Sequence, residues 1–593
     1  MKILGISAYF HDSSAAVVVD GKVIAAAQEE RFSRKKHDNS FPLLACEYCL
    51  NEAKIKISEI DKVVFFEKPF LKFERIIETA INTAPKGLNF FVNSMPIWLY
   101  ERLNMKSLLK KELSKLGEFC CDINFVEHHL SHAALAFYTS SYDDAIILVV
   151  DAVGEWATTS IYKGTGSELC LIKEQHFPNS IGLFYSTLTQ YLGFKVNSDE
   201  YKVMGLAPYG KRNSPETISF LKSIKDNMIS LNDDGSVEMN MKYFDYSHKF
   251  RMSNNKEIAK IIGIPHREPA ERIEQSHCNL ALALQIVLEE WIINLCKKLK
   301  EEYQTSNLCL CGGVALNCAM NGTLREMGLF NSIFVPFSPG DGGSSIGSAL
   351  AVSRVSNEPI KINDDPYLGP CYSNEEVKHV LDEAKIPYNY IDNLDSLCSN
   401  VSHLLSEGKI VGWFQGKMEF GPRALGNRSI LADARFIDMK HRLNKSIKFR
   451  EGFRPFAPVV LEEYVNEYFV DTISSPYMMF TTKFKKDFCS DVPQDIILED
   501  AINYKMSFVP AVTHIDKTAR IQTVNKTSNK RLYKLLTIYN NNTGCPLLVN
   551  TSFNVMGEPI VCSPYDAIKT FLKSGMDVLV INDFFTSVPL RDC

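Results

Sequence analysis

VEHHLSHAALAFYTSSYDDAIILVVDAVGEW, residues 126–156, is the stretch on which the reading of this chain turns. His128 and His132 stand four residues apart at the head of an apolar helical pattern (Ala133, Ala134, Leu135, Phe137). That spacing stacks both imidazoles on one helix face. The apolar run from Ala145 to Val150 predicts a strand that ends in Asp151 and a turn. Two imidazoles and a carboxylate delivered by the next element make a metal-site pattern with open positions for substrate. Two exposed helical histidines are the plainer alternative.

Outward from this stretch, the order IILVVD, AVGEWAT, TSIYKG and a hairpin through Gly164-Thr165-Gly166 repeats an order seen at the N-terminus. There ILGIS, the polar turn AYFHDSS and AAVVV lead through Asp20-Gly21 into KVIAAA. Asp-Gly between two apolar runs is a strong hairpin signature. Two copies of one unit predict a two-lobed α/β domain with a cleft between its lobes. Further on, Asn279 to Glu302 has helical spacing, and LCLCGGVALNCAMNG runs from a buried strand through Gly312-Gly313 into a helix. The polar, proline-bearing stretch near 356–366 is a linker by composition. After it, EEVKHVLDEA, KIVGWF, DAIKTFLKSG and DVLVIN read as a second set of helices and strands. The expected domains are therefore 1–355 and 367–593.

With 593 residues the chain is long enough for more than one core, and 45% hydrophobic with 23% charged residues is ordinary for a globular enzyme. A net charge of -5 gives no support to a dedicated nucleic-acid or anionic-membrane binder. No signal peptide is expected at MKILGISAYFHDSS, and no uninterrupted apolar run reaches the roughly eighteen residues of a membrane span. The 16 cysteines are scattered, often in apolar stretches, as suits buried thiols in the cytoplasm. The single CxxC, Cys46 and Cys49, lies in a helical pattern without a second pair, which argues against zinc or redox chemistry there.

Several segments carry chemistry. In CGGVALN, Gly312 and Gly313 let backbone N–H groups approach a phosphate at a helix start, or simply allow tight strand–helix packing. PGDGG places Asp341 in a glycine-rich turn, either an ordinary Asp turn or the fourth member of an N2O2 set with His128, His132 and Asp151. Such a set suits Fe(II), Mn(II) or Zn(II). FHDSSAA offers His11 and Asp12. EERFSRKKH offers Arg34, Lys35 and Lys36, as a solvated basic face or as charge for a phosphoryl group. SDEYKVMGLAPYG, with Gly205 and Pro208, reads as a shaped loop. The second region is rich in cations held among glycines and prolines: Arg423 and Arg428 in GPRALGNRS, Lys448, Arg450 and Arg454 in KFREGFRPFAP, and Arg520 in TARIQTV. LVNTSFNVMGEPIV adds Asn550, Ser552 and Glu558. Structural ion pairs account for some of these in any fold; rigid guanidinium forks also fit phosphate and carboxylate.

In this order, GISAYFHDSSAA, EERFSRKKH, HHLSHAA, VDAVGEWAT, KVMGLAPYG, GGVALN, GPRALGNRS, FRPFAP and NTSFNVMGEPIV closely resemble the O-carbamoyltransferases of the nodulation-protein and antibiotic-tailoring type. The resemblance implies an N-terminal domain like the tRNA threonylcarbamoyl transferase, of the actin/Hsp70 ATPase-like (duplicated ribonuclease-H-like) class, and a YrdC-like α/β C-terminal domain. It implies that the C-terminal domain makes carbamoyl adenylate from carbamoyl phosphate and ATP, with Mg accompanying the ATP. The N-terminal domain would then pass the carbamoyl group to a hydroxyl of a small-molecule acceptor. By this resemblance His128, His132, Asp151 and Asp341 hold an Fe(II)-type divalent ion. Arg423, Lys448, Arg454, Arg520, Asn550 and Glu558 hold carbamoyl phosphate and nucleotide in the second domain. His11, Lys36 and the turn from Asp151 through Gly154 to Thr158 face the adenylate in the first, with Gly312, Gly313 and Asn317 on the nucleotide side. His11, Lys36, Arg423, Lys448 and Arg454 are the expected catalytic groups. Acceptor contacts are expected in Lys68 to Tyr100, where the family pattern transfers nothing.

A tRNA-modifying threonylcarbamoyl transferase shares the two-domain logic but calls for a basic RNA-facing surface, against which the acidic balance argues. A binding protein that kept the fold and lost catalysis is disfavoured because all candidate ligands are present. The acceptor and the oligomeric state are not legible in the sequence.

Overall fold

The first strands lack polar–apolar alternation because both faces are covered: β1 (Lys2–Ser7) and β2 (Ser14–Val19) are buried almost throughout. In the computed structural model, which describes residues 1–98, 102–355, 364–471, 473–493 and 496–587, the chain divides into two compact units. One is Met1–Glu29 with Asn39–Asp364; the other is Glu30–Asp38 with Asp365–Cys593. Residues 356–363 of the expected linker, and Tyr100 in the expected acceptor segment, lie outside the described residues.

In the first unit β2 turns into β3 (Lys22–Gln28) at Asp20-Gly21, where φ is 48° and 74°. Positive φ at both central residues is what a tight hairpin turn needs to match the strand twist. With β4 (Lys62–Phe65) and β5 (Ile123–Phe125) the sheet order is β3-β2-β1-β4-β5, antiparallel on the hairpin side and parallel beyond β1. The second sheet repeats the plan. There β6 (Asp144–Val150), β7 (Ala157–Thr165) and β8 (Glu168–His176) form the antiparallel meander. The ribbon β9 (Ile229–Leu231) and β10 (Val237–Met239) intervenes, and β11 (Asn307–Cys311) and β12 (Ser332–Phe334) complete the order β12-β11-β6-β7-β8. The duplication read from element order is thus present strand for strand.

The helix Ser344–Val355 joins the two halves of this unit. A Cβ on Gly5 of β1 would collide with the Ser345 carbonyl, and one on Gly347 with the Ser131 carbonyl of the helix His128–Tyr138. Gly347→Ala should therefore cost about 1–3 kcal/mol by overpacking, read as a fall in melting temperature. An unchanged transition would mean that the two helices do not need this approach.

In the second unit the strands are β13 (Asn389–Tyr390), β14 (Val411–Phe414), β15 (Arg428–Ala432), β16 (Ala457–Leu461), β17 (Thr481–Lys483), β18 (Thr518–Arg520), β19 (Gln522–Val524), β20 (Leu547–Ser552), β21 (Val578–Ile581) and β22 (Phe584–Thr586). Eight form one mixed sheet in the order β13-β22-β21-β14-β15-β20-β16-β19, while β17 pairs with β18. Glu30–Asp38 is built into this unit. Phe32 packs on Met418, Ala424, Ile560 and Cys562, and Arg34 donates to the carbonyls of Ile560 (2.7 Å) and Pro559 (2.9 Å). Arg31 donates to Gly421 O at 2.8 Å. A charge run that invites reading as a solvated face is in part a packing element.

SDEYKVMGLAPYG is not a loop: Glu200–Leu206 is helical and Ala207–Tyr209 continues as a 3-10 turn. Pro208 is tolerated because it falls in a first turn, where its missing N–H is not needed. The helix Gln275–Tyr303 is, among the described residues, the one long and apolar enough to cross a membrane, and 72% of its apolar window is buried inside the protein.

Candidate metal centre and cation cluster

The helix His128–Tyr138 starts under a remote carboxylate: Glu155 in the β6–β7 turn accepts from the His128 backbone N–H at 3.0 and 3.1 Å and from the Lys68 N–H at 2.7 Å. A carboxylate at a helix start satisfies orphan donors and favours the dipole. The two histidines project from that first turn. Their Nε2 atoms are 3.2 Å apart, and Asp151 Oδ2, at the end of β6, lies 3.2 Å from one and 3.3 Å from the other. Asp341 Oδ1 approaches the same nitrogens at 3.6 and 3.4 Å. The Asp341 turn is tied to β2 by Ser14, whose hydroxyl donates to Gly342 O at 2.7 Å.

All four donor atoms fall within 4.8 Å of one another, and all four residues are grouped as buried. Cis donors about 2.1 Å from one octahedral ion are themselves about 3 Å apart, so the set fits a small divalent cation. His132 Nδ1 faces Cys311 Sγ at 3.7 Å, and that thiol donates to Pro339 O at 3.2 Å. With Nδ1 directed at sulfur, Nε2 is the ring nitrogen that faces the centre. Close approach also needs small residues: a Cβ on Gly154 would lie 3.1 Å from the His128 ring, and one on Gly313 would lie 3.0 Å from Asp151 Oδ1. Gly312, at φ 89°, passes against the Val150 carbonyl.

His11 joins the centre, its Nε2 3.6 Å from Asp341 and its Nδ1 3.1 Å from Asp12. Burial would lower its pKa, but Asp341 and Asp12 prevail and raise it to about 9. Burial likewise opposes a charge on His132, yet Asp151 and Asp341 hold its pKa well above the usual range. Both carboxylates, against the effect of burial, are held low by the imidazoles around them. Metal must displace the proton that this arrangement keeps on His132, so affinity should rise with pH, about tenfold per unit for one proton. Competition against a metal indicator at about pH 6 and pH 8 measures this; a flat or falling profile would contradict the ligand assignment.

Not every expected residue faces this centre with a free side chain. Thr158 donates to the carbonyls of Gln175 and Asn179 at 3.1 and 2.6 Å. Asn317 caps the helix Cys318–Glu326, accepting from Met320 N at 3.0 Å and donating to Gln285 at 2.9 Å. Lys36, expected to face the first domain's adenylate, belongs to the segment built into the second unit, where its charge acts on Lys448.

In the second unit Lys448 is buried, and its Nζ donates to Ser552 O, to Asn554 O at 3.0 Å and to Asn554 Oδ1 at 2.8 Å. Burial, then Arg450, Arg454 and Lys36, push its pKa well below the usual lysine range. These four cations therefore form one cluster. Arg450 donates from Nε to Asn444 Oδ1 at 2.7 Å and lies over the Phe456 ring at 4.5 Å, and Arg454 is 3.5 Å from Glu451. Asn550 is buried and donates to Gln522 and Ala424 O. Arg423 belongs to a loop whose Leu425, Asn427 and Arg428 N–H groups all donate to Glu419 Oε1. Glu558 lies 3.6 Å from Lys573, and Arg520 closes the β17–β18 ribbon. Arg428 is a structural cation: it is fully buried, donates to the carbonyls of Gln415, Gly416, Asn427 and Pro370, and sits 3.6 Å over Phe414. Glu155, Cys311 and Asn554 escaped the sequence reading. Only Asn554 had a local cue, its place two residues after Ser552 in a polar segment.

The chain thus combines a duplicated α/β unit that holds a buried two-histidine, two-aspartate group with an α/β unit that holds a cation cluster. Comparison with known families makes the class specific: residues 2–350 match the description "Carbamoyltransferase N-terminus" and residues 402–587 match "Carbamoyltransferase C-terminus". The chain belongs to the carbamoyltransferase family and is a transferase. It is 46% identical, over 100% of its length and 98% of theirs, to an uncharacterized protein of Synechocystis sp., sll1178. It is 34% identical to nodulation protein NolNO of Sinorhizobium fredii, over 97% of this chain and 79% of that one. Among solved structures, component A of (R)-2-hydroxyglutaryl-CoA dehydratase from Acidaminococcus fermentans aligns with 60% of this chain and 99% of its own, at 11% identity and TM-score 0.33. That likeness is too slight to build on.

Proposed function

We propose that this protein is an ATP-dependent O-carbamoyltransferase with a small-molecule acceptor, working in the cytoplasm without nucleic acid or membrane. In this reading the second unit, YrdC-like in type, opens carbamoyl phosphate with water to carbamate and inorganic phosphate. A carbamate oxygen then attacks the α-phosphorus of ATP, forming carbamoyl adenylate and expelling pyrophosphate. The first unit, of the actin/Hsp70 ATPase-like class, presents the adenylate to an acceptor hydroxyl. The oxygen attacks the carbamoyl carbon, the hydroxyl proton leaves and AMP departs. AMP is what makes the carbamoyl group transferable, since carbamate itself is a poor acyl donor.

The observation that carries this reading is the separation of two chemically unlike centres, one in each unit, in a chain of the carbamoyltransferase family. Lys36, Lys448, Arg450 and Arg454 stabilise charge on the phosphates during activation. His128, His132, Asp151 and Asp341 would hold an Fe(II)-type divalent ion, which supplies Lewis-acid polarisation when bound. His11 lies against Asp341 and offers a cationic N–H to the phosphate of AMP. Gly154 keeps the space beside the His128 ring open, and Gly313 the space beside the Asp151 carboxylate.

The test is stoichiometric. With ATP, magnesium, carbamoyl phosphate and a competent alcohol, one AMP, one pyrophosphate and one inorganic phosphate should appear per carbamoyl group transferred. Release of ADP in place of AMP would refute the adenylate.

A further inference from the structure

His128 and His132 are held in different ways. The Nδ1 of His132 faces Cys311 Sγ at 3.7 Å. The Nδ1 of His128 is buried and, among the described residues, has no hydrogen-bond partner. A metal-bound histidine is ordinarily oriented by the hydrogen bond of its second ring nitrogen. The His128 ring is placed instead by packing and by its backbone. Phe66 meets it in a T-shaped contact, with centroids 5.4 Å apart and planes at 62°. The Gly154 backbone passes so close that a Cβ there would lie 3.1 Å from Cδ2 and 3.2 Å from Cβ of His128. Glu155 accepts from the His128 N–H.

The Gly154–Glu155 turn is itself gripped from the helix Pro69–Thr83. Arg75 of that helix donates from Nη1 to Gly154 O at 2.8 Å, a charge-assisted bond. Its guanidinium lies 5.4 Å over the Phe177 ring. Burial lowers its pKa to about 10 while Glu67 and Glu155 act to raise it, so it stays charged at neutral pH. Lys68, the residue before this helix, donates its N–H to Glu155 at 2.7 Å. Its ammonium group pairs at 2.8 Å with Glu127, the residue before the helix that carries His128.

We propose that Arg75 is a positioning residue of the metal centre. By holding Gly154 O it keeps the Gly154–Glu155 turn against the His128 imidazole, and so aims Nε2 at Asp151 and His132. Lys68 and Glu155 complete the brace. This role rests on the proposed reading of His128 as a metal ligand. A segment expected to meet the acceptor thereby also serves that ligand.

Equilibrium dialysis of the full chain against Co(II), with visible absorption of the bound ion, tests this. The unaltered protein should bind Co(II) saturably. Arg75→Met should weaken that binding by about 10–100-fold, the usual scale for a partner of a metal ligand. At saturating Co(II) its absorption bands should also shift, because the ring is turned. A merely structural arginine would lower the melting temperature and leave the spectrum of the folded, loaded protein unmoved. Arg75→Lys, which keeps a charged donor, should retain more affinity than Arg75→Met. Arg75→Gln carries the test if the Met variant does not fold, and should shift the bands in the same way. Gly154→Ala, which crowds the same ring directly, should shift them too. Unaltered Co(II) affinity and spectrum in the folded Arg75 variants would overturn the role of Arg75 and leave the ligand reading standing. No saturable Co(II) binding by the unaltered protein would overturn both.

Discussion

His132→Ala is expected to lose most bound metal and to slow carbamoyl transfer by at least about a hundredfold, while ATP–pyrophosphate exchange survives. His132 is wholly buried, and its Nε2 lies 3.3 Å from Asp151 and 3.4 Å from Asp341, so no neighbour can take its place without moving the helix. Removing it also leaves two buried carboxylates facing each other with one fewer imidazole to balance them. They would take up protons, and a site with protonated carboxylates binds divalent ions poorly. Metal analysis and transfer assays on the same preparation check both halves. Full occupancy in His132→Ala would remove it from the ligand set.

Arg454→Ala should give the opposite pattern: metal content intact, carbamoyl adenylate formation down by about 10²–10³-fold. Arg454 follows the π-helical turn that carries Lys448, and its fork is preset by Pro455 and by Glu451. Its charge already acts on buried Lys448, so its loss should ease the protonation of that lysine as well as remove a phosphate ligand. Wild-type adenylate production in this variant would place activation elsewhere.

Much of this was legible in the sequence because it is local. The i,i+4 histidines, the strand that ends at Asp151 and the Asp20-Gly21 hairpin depend on spacings of a few residues, and each appears in the fold as expected. The repeated sheet order could be read because both copies keep the same succession of strand, polar turn and hairpin. What failed to show depends on distant packing. Nothing in ERFSRKKHD reveals that Phe32 will lie on Met418 and Cys562. Arg428 reads like the other arginines of the glycine- and proline-rich loops until four carbonyls close around it. Glu155 is one acidic residue in a turn, and its service to the His128 N–H is written only in three dimensions. In KVMGLAPYG, glycine and proline suggested a loop where the chain is helical, because that proline lies at the start of a new turn.

The central claim is that activation and transfer are separate chemistries performed by different units of one chain. Mass spectrometry of His132→Ala incubated with ATP, magnesium, acceptor and ¹³C-labelled carbamoyl phosphate tests it directly. The account predicts that labelled carbamoyl adenylate accumulates above the wild-type level while labelled acceptor does not appear. Absence of the adenylate, or labelled acceptor at the wild-type rate, would contradict it.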